Sequence, residues 1–490
     1  MSTRSRNASN RSAKAAAAKA AEAAFEATKK QLRSLSTAII VKPPYCYGTV
    51  PLAEDNFVLF YGKDESARRI NLSRATAEQL QHLAETCDPA TFGVDGQDVY
   101  DETYRKAGKL DARHFSLNLS PAQVGLLDIV RDHLLVETAS RAISPDQYNN
   151  IHAELYKLNV YGPQSFFKRH VDTPREDTMF GSLVIVFPAP HKGGELVLRS
   201  QYQSGEETRT HEWTVDSSHL LSQTDAPSVA YAAFFSDTEH EVLPVQSGYR
   251  VTVTYNLHFV PRNEPVAHVT ALPRSLPTHE NQFKSRFQAL LDDPSFLPDG
   301  GNLLFSLWHY YPLPTPTQNT TLEESREALR AVAGRLKGTD AMVWHVIRSL
   351  GLDASLRIVV QDGARFVWSK YCAMCDHAVQ LKRTQFPADT LNEYLLDKHN
   401  ATLINQPLQR LSRWGDSESD SDGLRVMEVH WVTYGLFLLS QSGQADSPEQ
   451  TSYMAYGNES SIAHAYWRVS LLVRVGPFGK RATGPQPQQG

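Results

Sequence analysis

Cysteine is scarce: Cys46, Cys87, Cys372 and Cys375 are the only four in a chain of 490 residues. So few cannot staple a chain of this size, which excludes a disulfide scaffold and suits a reducing compartment. No apolar run approaches the roughly 20 residues that a membrane span needs, and the first residues lack the apolar core of a secretory signal. An excess of positive charge is also missing. With 49 Lys and Arg against 54 Asp and Glu, the net charge is -5, so no global field draws in nucleic acid. These absences point to a cytoplasmic or nuclear protein without a membrane partner and argue against a nucleic-acid partner. Residues 1–21 carry Arg4, Arg6, Arg11, Lys14 and Lys19 and no acid. Mitochondrial targeting is therefore the lesser alternative, because Glu22 and Glu26 spoil the transit-peptide pattern.

What is present is ordinary for a globular protein: 41% hydrophobic and 21% charged residues, on a length that suggests about two to four domains. Residues 1–35 read as a disordered or helical tail, Ala-rich from Ala13 to Lys30. Residues 36–150 read as a mixed α/β region, with a strand at Phe57–Tyr61 and a helix over Thr76–Thr86 opened by Ser73 or Thr76. Ser120-Pro121 opens a further helix toward Ala139, with proline at its first position. From 151 to 262 the pattern changes to short β runs with Gly and Pro turns, the mark of a sandwich or barrel. Gly181–Phe187 and Val229–Phe235 are almost wholly apolar, whereas Arg250–Tyr255 alternates. Residues 263–478 read as a mixed α/β C-terminal domain of unassigned role, with a degenerate second barrel as one form it could take. An acidic loop at Asp416–Asp422 and a Pro/Gln/Gly-rich tail over 479–490 read as solvated.

His170-Val171-Asp172 is the only His-x-Asp in the chain. On a strand, residues two apart point the same way, so an imidazole and a carboxylate can take adjacent coordination positions. One more histidine completes a two-His, one-carboxylate facial triad, which leaves open positions for a chelating cosubstrate and dioxygen. The tripeptide alone is weak, since a chance match is expected among 18 histidines, and a surface salt-bridging pair is its plain reading. The surrounding order strengthens it. His240 follows an apolar strand and a short polar loop, and Arg250 then begins an alternating strand with Thr252 and Thr254. A buried arginine is costly without a partner. A dicarboxylate cosubstrate is such a partner, gripped by two parallel hydrogen bonds, and Thr252 on the same face could share that load.

The segment YGPQSFFKRHVD, Tyr161–Asp172, resembles the tyrosine-to-HxD segment of prolyl 4-hydroxylase-like Fe(II)/2-oxoglutarate-dependent dioxygenases. HEVLPVQSGYRVTVT, His240–Thr254, resembles their distal-histidine segment and the basic residue after it, and Gly193-Gly194-Glu195-Leu196 their strand after a glycine turn. Around Phe234–Leu257 the wording is closest to fungal members. Phe167 departs from the tyrosine often found three residues before the first ligand. The resemblance implies an α+β protein built on a double-stranded β-helix (jelly roll, cupin-like) with flanking helices. It implies iron held by His170, Asp172 and His240, and 2-oxoglutarate held by Tyr161, Arg250 and Thr252. It further implies dioxygen as oxidant, with ascorbate as an optional reductant. The reaction would hydroxylate a C–H bond, most naturally on a prolyl-type side chain of a protein or peptide, with release of succinate and carbon dioxide. Two alternatives stay open: the same chemistry on a small molecule or nucleic acid, and a non-catalytic interaction module on the same barrel. Cys372-Ala373-Met374-Cys375 with nearby His377 offers a zinc or redox reading, but zinc needs four ligands and no second CxxC exists. Two small half-buried residues are the default there. Oligomeric state is not legible.

Overall fold

The computed structural model describes residues 19, 23–63, 66–94, 97–135, 148–204, 207–261, 278–317, 319–360, 371–379, 391–405, 426–433 and 464–482. The strands that carry the site are, in chain order, β1 (Tyr45–Pro51), β2 (Asp88–Pro89), β3 (Arg105–Lys106), β4 (Gly108–Asp111), β5 (Tyr148–Tyr161) and β6 (Phe166–His170). They continue with β7 (Met179–Val186), β8 (Leu196–Ser204), β9 (Glu207–Val215), β10 (Ser228–Phe235), β11 (Glu239–Val242) and β12 (Arg250–Pro261). A seven-stranded sheet runs β1-β10-β7-β12-β5-β4-β2 and a five-stranded sheet β9-β8-β11-β6-β3. All their ladders are antiparallel.

The sequence pattern explains the layering. Every residue of β10 and all but one of β7 is buried, because both strands sit centrally in the large sheet with packed side chains on each face. One face meets the Leu59, Leu80, Leu83, Leu110 and Leu158 core. The other meets a smaller cluster holding Phe167, Leu198, Phe234 and Val242, which joins the two sheets. The helix Ala77–Thr86 closes the first core and begins with a capping box between Thr76 and Gln79, which satisfies two otherwise orphaned backbone donors.

Among the described residues the C-terminal half holds a second seven-stranded sheet, in which the long strands Gly301–Pro314 and His464–Val475 pair, packed against the helices Thr278–Leu291, Leu322–Ala331 and Gly338–Ser349.

Three expectations change on contact with the structure. The helix expected from Ser120 starts only at Leu126: residues 121–125 form a turn, and Gly125 lies in the left-handed region at φ 71°. Residues 136–147, where it was to end, lie outside the described set, as does the acidic loop. Cys372 and Cys375 are fully buried rather than half-buried, one in each of two separate apolar clusters. Three residues apart on the strand Tyr371–Cys375 they face opposite sides of the sheet, and burial pushes both thiols up to about 12. A thiol so protonated is neither a ready nucleophile nor a ready ligand. Lastly, the segment read as a disordered or helical tail ends in a helix that is packed rather than mobile. A helix over 23–36 lays Leu32 and Leu35 into the C-terminal core with Ile39 behind them.

That packing makes a prediction. Leu35 is 1% exposed, so Leu35→Ala should cost about 2–5 kcal/mol of stability, read from urea unfolding. A helix merely resting on the surface would lose far less.

Candidate metal centre and cosubstrate pocket

His170 ends β6, Asp172 lies two residues on, and His240 sits in β11, directly opposite His170 in the ladder. One ligand atom from each of the three lies within 4.8 Å of the others. His240 Nε2 is 3.9 Å from Asp172 Oδ1, and the two imidazole centroids are 4.2 Å apart. All three residues are buried. Each imidazole donates through Nδ1 to a carbonyl two residues earlier: His170 to Lys168 at 2.8 Å and His240 to Thr238 at 2.9 Å. Those bonds fix the tautomer and leave each Nε2 lone pair for a metal. Burial, then the neighbouring His240, holds the His170 imidazole well below its ordinary pKa, so it stays neutral and able to ligate. Two imidazole nitrogens and one carboxylate oxygen are the donor set of a non-haem iron(II) site, and the residues present fit that ion.

Residues outside the motif hold these ligands in place. Ser182 on β7 donates its hydroxyl to Asp172 Oδ2. Phe167 stacks on the His170 ring at 3.6 Å, and the Arg105 guanidinium lies over Phe167 at 4.2 Å. From the C-terminal sheet, the Tyr466 hydroxyl donates to the backbone carbonyl of Asp172 at 3.1 Å. Asp237, in the turn that leads to His240, accepts from Lys337 Nζ at 2.9 Å, from the Tyr310 amide at 2.9 Å, and pairs with His309 at 3.1 Å. Ser182 was open to sequence reasoning, as the one hydroxyl inside a buried apolar run. Tyr466 and Lys337 carried no local signal, being 294 and 100 residues from their partners.

The cavity beside the triad is lined by Tyr161, Arg250, Thr252 and Thr254, among others. Tyr161 faces Arg250 and Asn159 faces Thr252 across the β5–β12 ladder. Arg250 is 2% exposed and makes no hydrogen bond or ion pair among the described residues; its Nε is buried without a partner. The Tyr161 ring centroid lies 5.5 Å from its guanidinium carbon, and desolvation lowers its pKa despite Tyr161 and Glu195. Space for that guanidinium depends on Gly194, at φ 76°, where a Cβ would stand 2.9 Å from Arg250 Cδ. The Thr252 hydroxyl points to the Asn159 carbonyl at 3.4 Å, so its proton is already directed at backbone.

Asp237 yields a pH prediction. Burial alone would raise its pKa, but Lys337 and His309 hold the carboxyl far below the usual carboxylate range. A depressed folded-state pKa contributes stability that is present above the unfolded value of about 4 and is lost as pH falls. Lys337→Met should cost about 3–5 kcal/mol at neutral pH by leaving a buried charge short of its partner. It should also flatten the fall in stability on the acid side, as followed by thermal unfolding from neutral pH downward.

Residues 156–258 match the family model described as the 2OG-Fe(II) oxygenase superfamily. No curated protein matches the chain. Among solved structures the chain is similar to a prolyl-4-hydroxylase from Pseudomonas putida, with 18% identity over 47% of this chain and 99% of that one, at a TM-score of 0.25. It is similar also to a prolyl hydroxylase from Trichoplax adhaerens in complex with a hypoxia inducible factor oxygen degradation domain peptide fragment. There the identity is 15% over 47% of this chain and 91% of that one, at a TM-score of 0.25. A third is AviO1 from Streptomyces viridochromogenes Tue57, with 15% identity, 48% and 98% coverage and a TM-score of 0.24. Overlaps this loose add nothing to the assignment, which rests on the family model and on the ligand geometry. Over residues 156–258, therefore, the chain is similar to the 2OG-Fe(II) oxygenase superfamily, and its buried His-Asp-His cluster fits the iron(II) that this similarity implies together with 2-oxoglutarate and dioxygen.

Proposed function

We propose that this chain is an iron(II)- and 2-oxoglutarate-dependent dioxygenase that hydroxylates a C–H bond, most naturally on a prolyl-type protein side chain, releasing succinate and carbon dioxide. The observation that carries the reading is Arg250: a buried guanidinium with no ion pair among the described residues, in the same cavity as a buried His-Asp-His cluster. A scaffold gains nothing from such a group, because an unpaired buried charge costs several kcal/mol. A cosubstrate carboxylate would remove that cost through a bidentate, charge-assisted contact. In this reading His170, Asp172 and His240 hold iron(II), Arg250 grips the distal carboxylate of 2-oxoglutarate, and Tyr161 donates to it. Thr252 shapes the same wall. Bound iron with 2-oxoglutarate and dioxygen supplies the oxidising power; the chain's part is to fix the donors and keep water out. In this reading the two antiparallel sheets are those of a double-stranded β-helix, and Tyr466, Lys337, His309 and Arg335 of the C-terminal half brace its ligand loops. A small-molecule substrate is the alternative.

Two sets of variants test this. His170→Ala and Asp172→Asn should abolish 2-oxoglutarate turnover, followed as succinate release, while circular dichroism stays that of the parent. Turnover by Asp172→Asn at the parent rate would refute the triad. Arg250→Ala should keep its iron but lose about 2–5 kcal/mol of 2-oxoglutarate binding, or roughly 30-fold to several-thousand-fold in Kd. Arg250→Lys should fall between, since an ammonium has charge but no fork. A purely structural Arg250 would show the reverse: a lower melting temperature and an unchanged 2-oxoglutarate Kd by anaerobic calorimetry.

A further inference from the structure

The cavity holds more positive charge than iron and one dicarboxylate explain. Besides Arg250 it is lined by Arg105 and Lys157, each 4% exposed, while its only lining acid is Asp172, already among the ligands. Local structure places them. In the β5–β12 ladder Leu155 faces Tyr255 and Lys157 faces Thr254, so Tyr156 is an extra, bulged residue. A bulge of this kind re-aims side chains, and here both Tyr156 and Lys157 line the cavity instead of alternating. Lys157 Nζ donates to the Tyr156 hydroxyl at 2.8 Å. Arg105, on β3 at the edge of the smaller sheet, reaches across to Asn159 Oδ1 at 3.1 Å and to the Thr91 carbonyl at 2.6 Å. Its guanidinium has no ion pair among the described residues, and its Nε is buried without a partner.

This wall lies apart from the Arg250 end. Lys157 and Tyr161 are four residues apart on β5, as are Arg250 and Thr254 on the facing strand, which is roughly 13 Å at 3.3 Å per residue. A five-carbon diacid anchored on Arg250 and chelating a metal at the triad cannot also reach Lys157. Resting on the dioxygenase reading above, we propose that Arg105, Lys157 and the Tyr156 hydroxyl form a second anion subsite, which receives a carboxylate or phosphate group of the substrate. The substrate is then an anionic molecule, or a polypeptide with an acidic or phosphorylated residue beside the C–H to be oxidised.

The surroundings of Lys157 add a proton-coupled readout. Burial, then Lys109 on β4 and Arg105 on β3, push its ammonium down to about 7. Asp111 on β4 works against the shift, and Arg175, after β6, adds to it. Thr254 faces it from β12, and Tyr156 and Asp172 are the other ionisable groups on this side of the cavity. An arriving anion favours the charged form, so binding above pH 7 takes up a proton.

The test is calorimetric titration of the iron(II)- and 2-oxoglutarate-loaded protein under argon with acetate, inorganic phosphate and, as an uncharged control, acetamide. Acetate and phosphate compare the two anion sources. At least one anion should bind and acetamide should not. At pH 8, titrations in buffers of different ionisation enthalpy should show proton uptake on binding. Lys157→Met and Arg105→Met should each weaken the anion about tenfold or more, and Lys157→Met should leave the 2-oxoglutarate Kd within about twofold and melt no lower than the parent, since a buried charge has been removed. The proton-uptake measurement needs no variant and stands even if Arg105→Met fails to fold. Absence of anion binding, anion affinity unchanged in Lys157→Met, or a parallel loss of 2-oxoglutarate affinity would overturn the subsite. Running the anions on metal-free protein separates the readings: failure of the iron-loaded protein to bind 2-oxoglutarate would overturn the dioxygenase reading and not the subsite.

Discussion

Everything at this site depends on the register between β6 and β11. His170 and His240 meet because they are paired residues of one antiparallel ladder, and paired side chains on one face stand closer than any other inter-strand pair. A slip of one residue would turn one imidazole to the opposite face. The register is held by what the same strands bury on either side of the ligands: Phe167 paired with Val242, and Leu196 and Leu198 of β8 paired with Val242 and His240. The apolar cluster between the sheets therefore also aligns the metal ligands.

The C-terminal half acts on the same geometry from outside. Its strands and helices have their own core, yet among the described residues its polar contacts with the site-bearing sheets gather at the two loops beside the His-Asp-His cluster. Tyr466 holds the carbonyl of Asp172, Lys337 and His309 hold Asp237 ahead of His240, and Arg335 pairs with Asp177 at 2.5 Å just past the His-x-Asp loop. Loops that carry ligands are otherwise the least constrained parts of a β-fold. Burying a lysine–aspartate pair there gains little net stability, but it pins the loop to one position because neither charge can leave its partner.

Inside the cavity the balance is reversed. The ligand loops have their charges matched, whereas Arg105 and Arg250 inside are desolvated without an ion pair among the described residues. Such groups are retained at a cost in stability, which is the usual trade at a binding site. Arg250 and Lys157 stand at opposite ends of the β5–β12 pair, which fits the two anionic groups proposed above.

Much of this was legible in the sequence for a local reason. Strand alternation is a two-residue period, so His170 and Asp172, and Arg250, Thr252 and Thr254, declare a common face from spacing alone, and the apolar runs at β7 and β10 declare central strands. Helices with local caps, such as Thr76–Gln79, were equally readable. Reading failed where a glycine's conformation outweighed the proline ahead of it, as at Gly125, and where an Ala-rich helix found a core to pack into. The sequence by itself determined the common face of His170 and Asp172, the inward face of β12 and the β character of the runs at β7, β10 and β12, because each follows from short-range periodicity and residue chemistry. Only the tertiary structure decided that the bulge at Tyr156 turns Lys157 into the cavity, that Arg250 has no ion pair among the described residues, and that Tyr466 and Lys337 anchor the ligand loops, because these contacts join residues whose separation along the chain leaves no periodic trace.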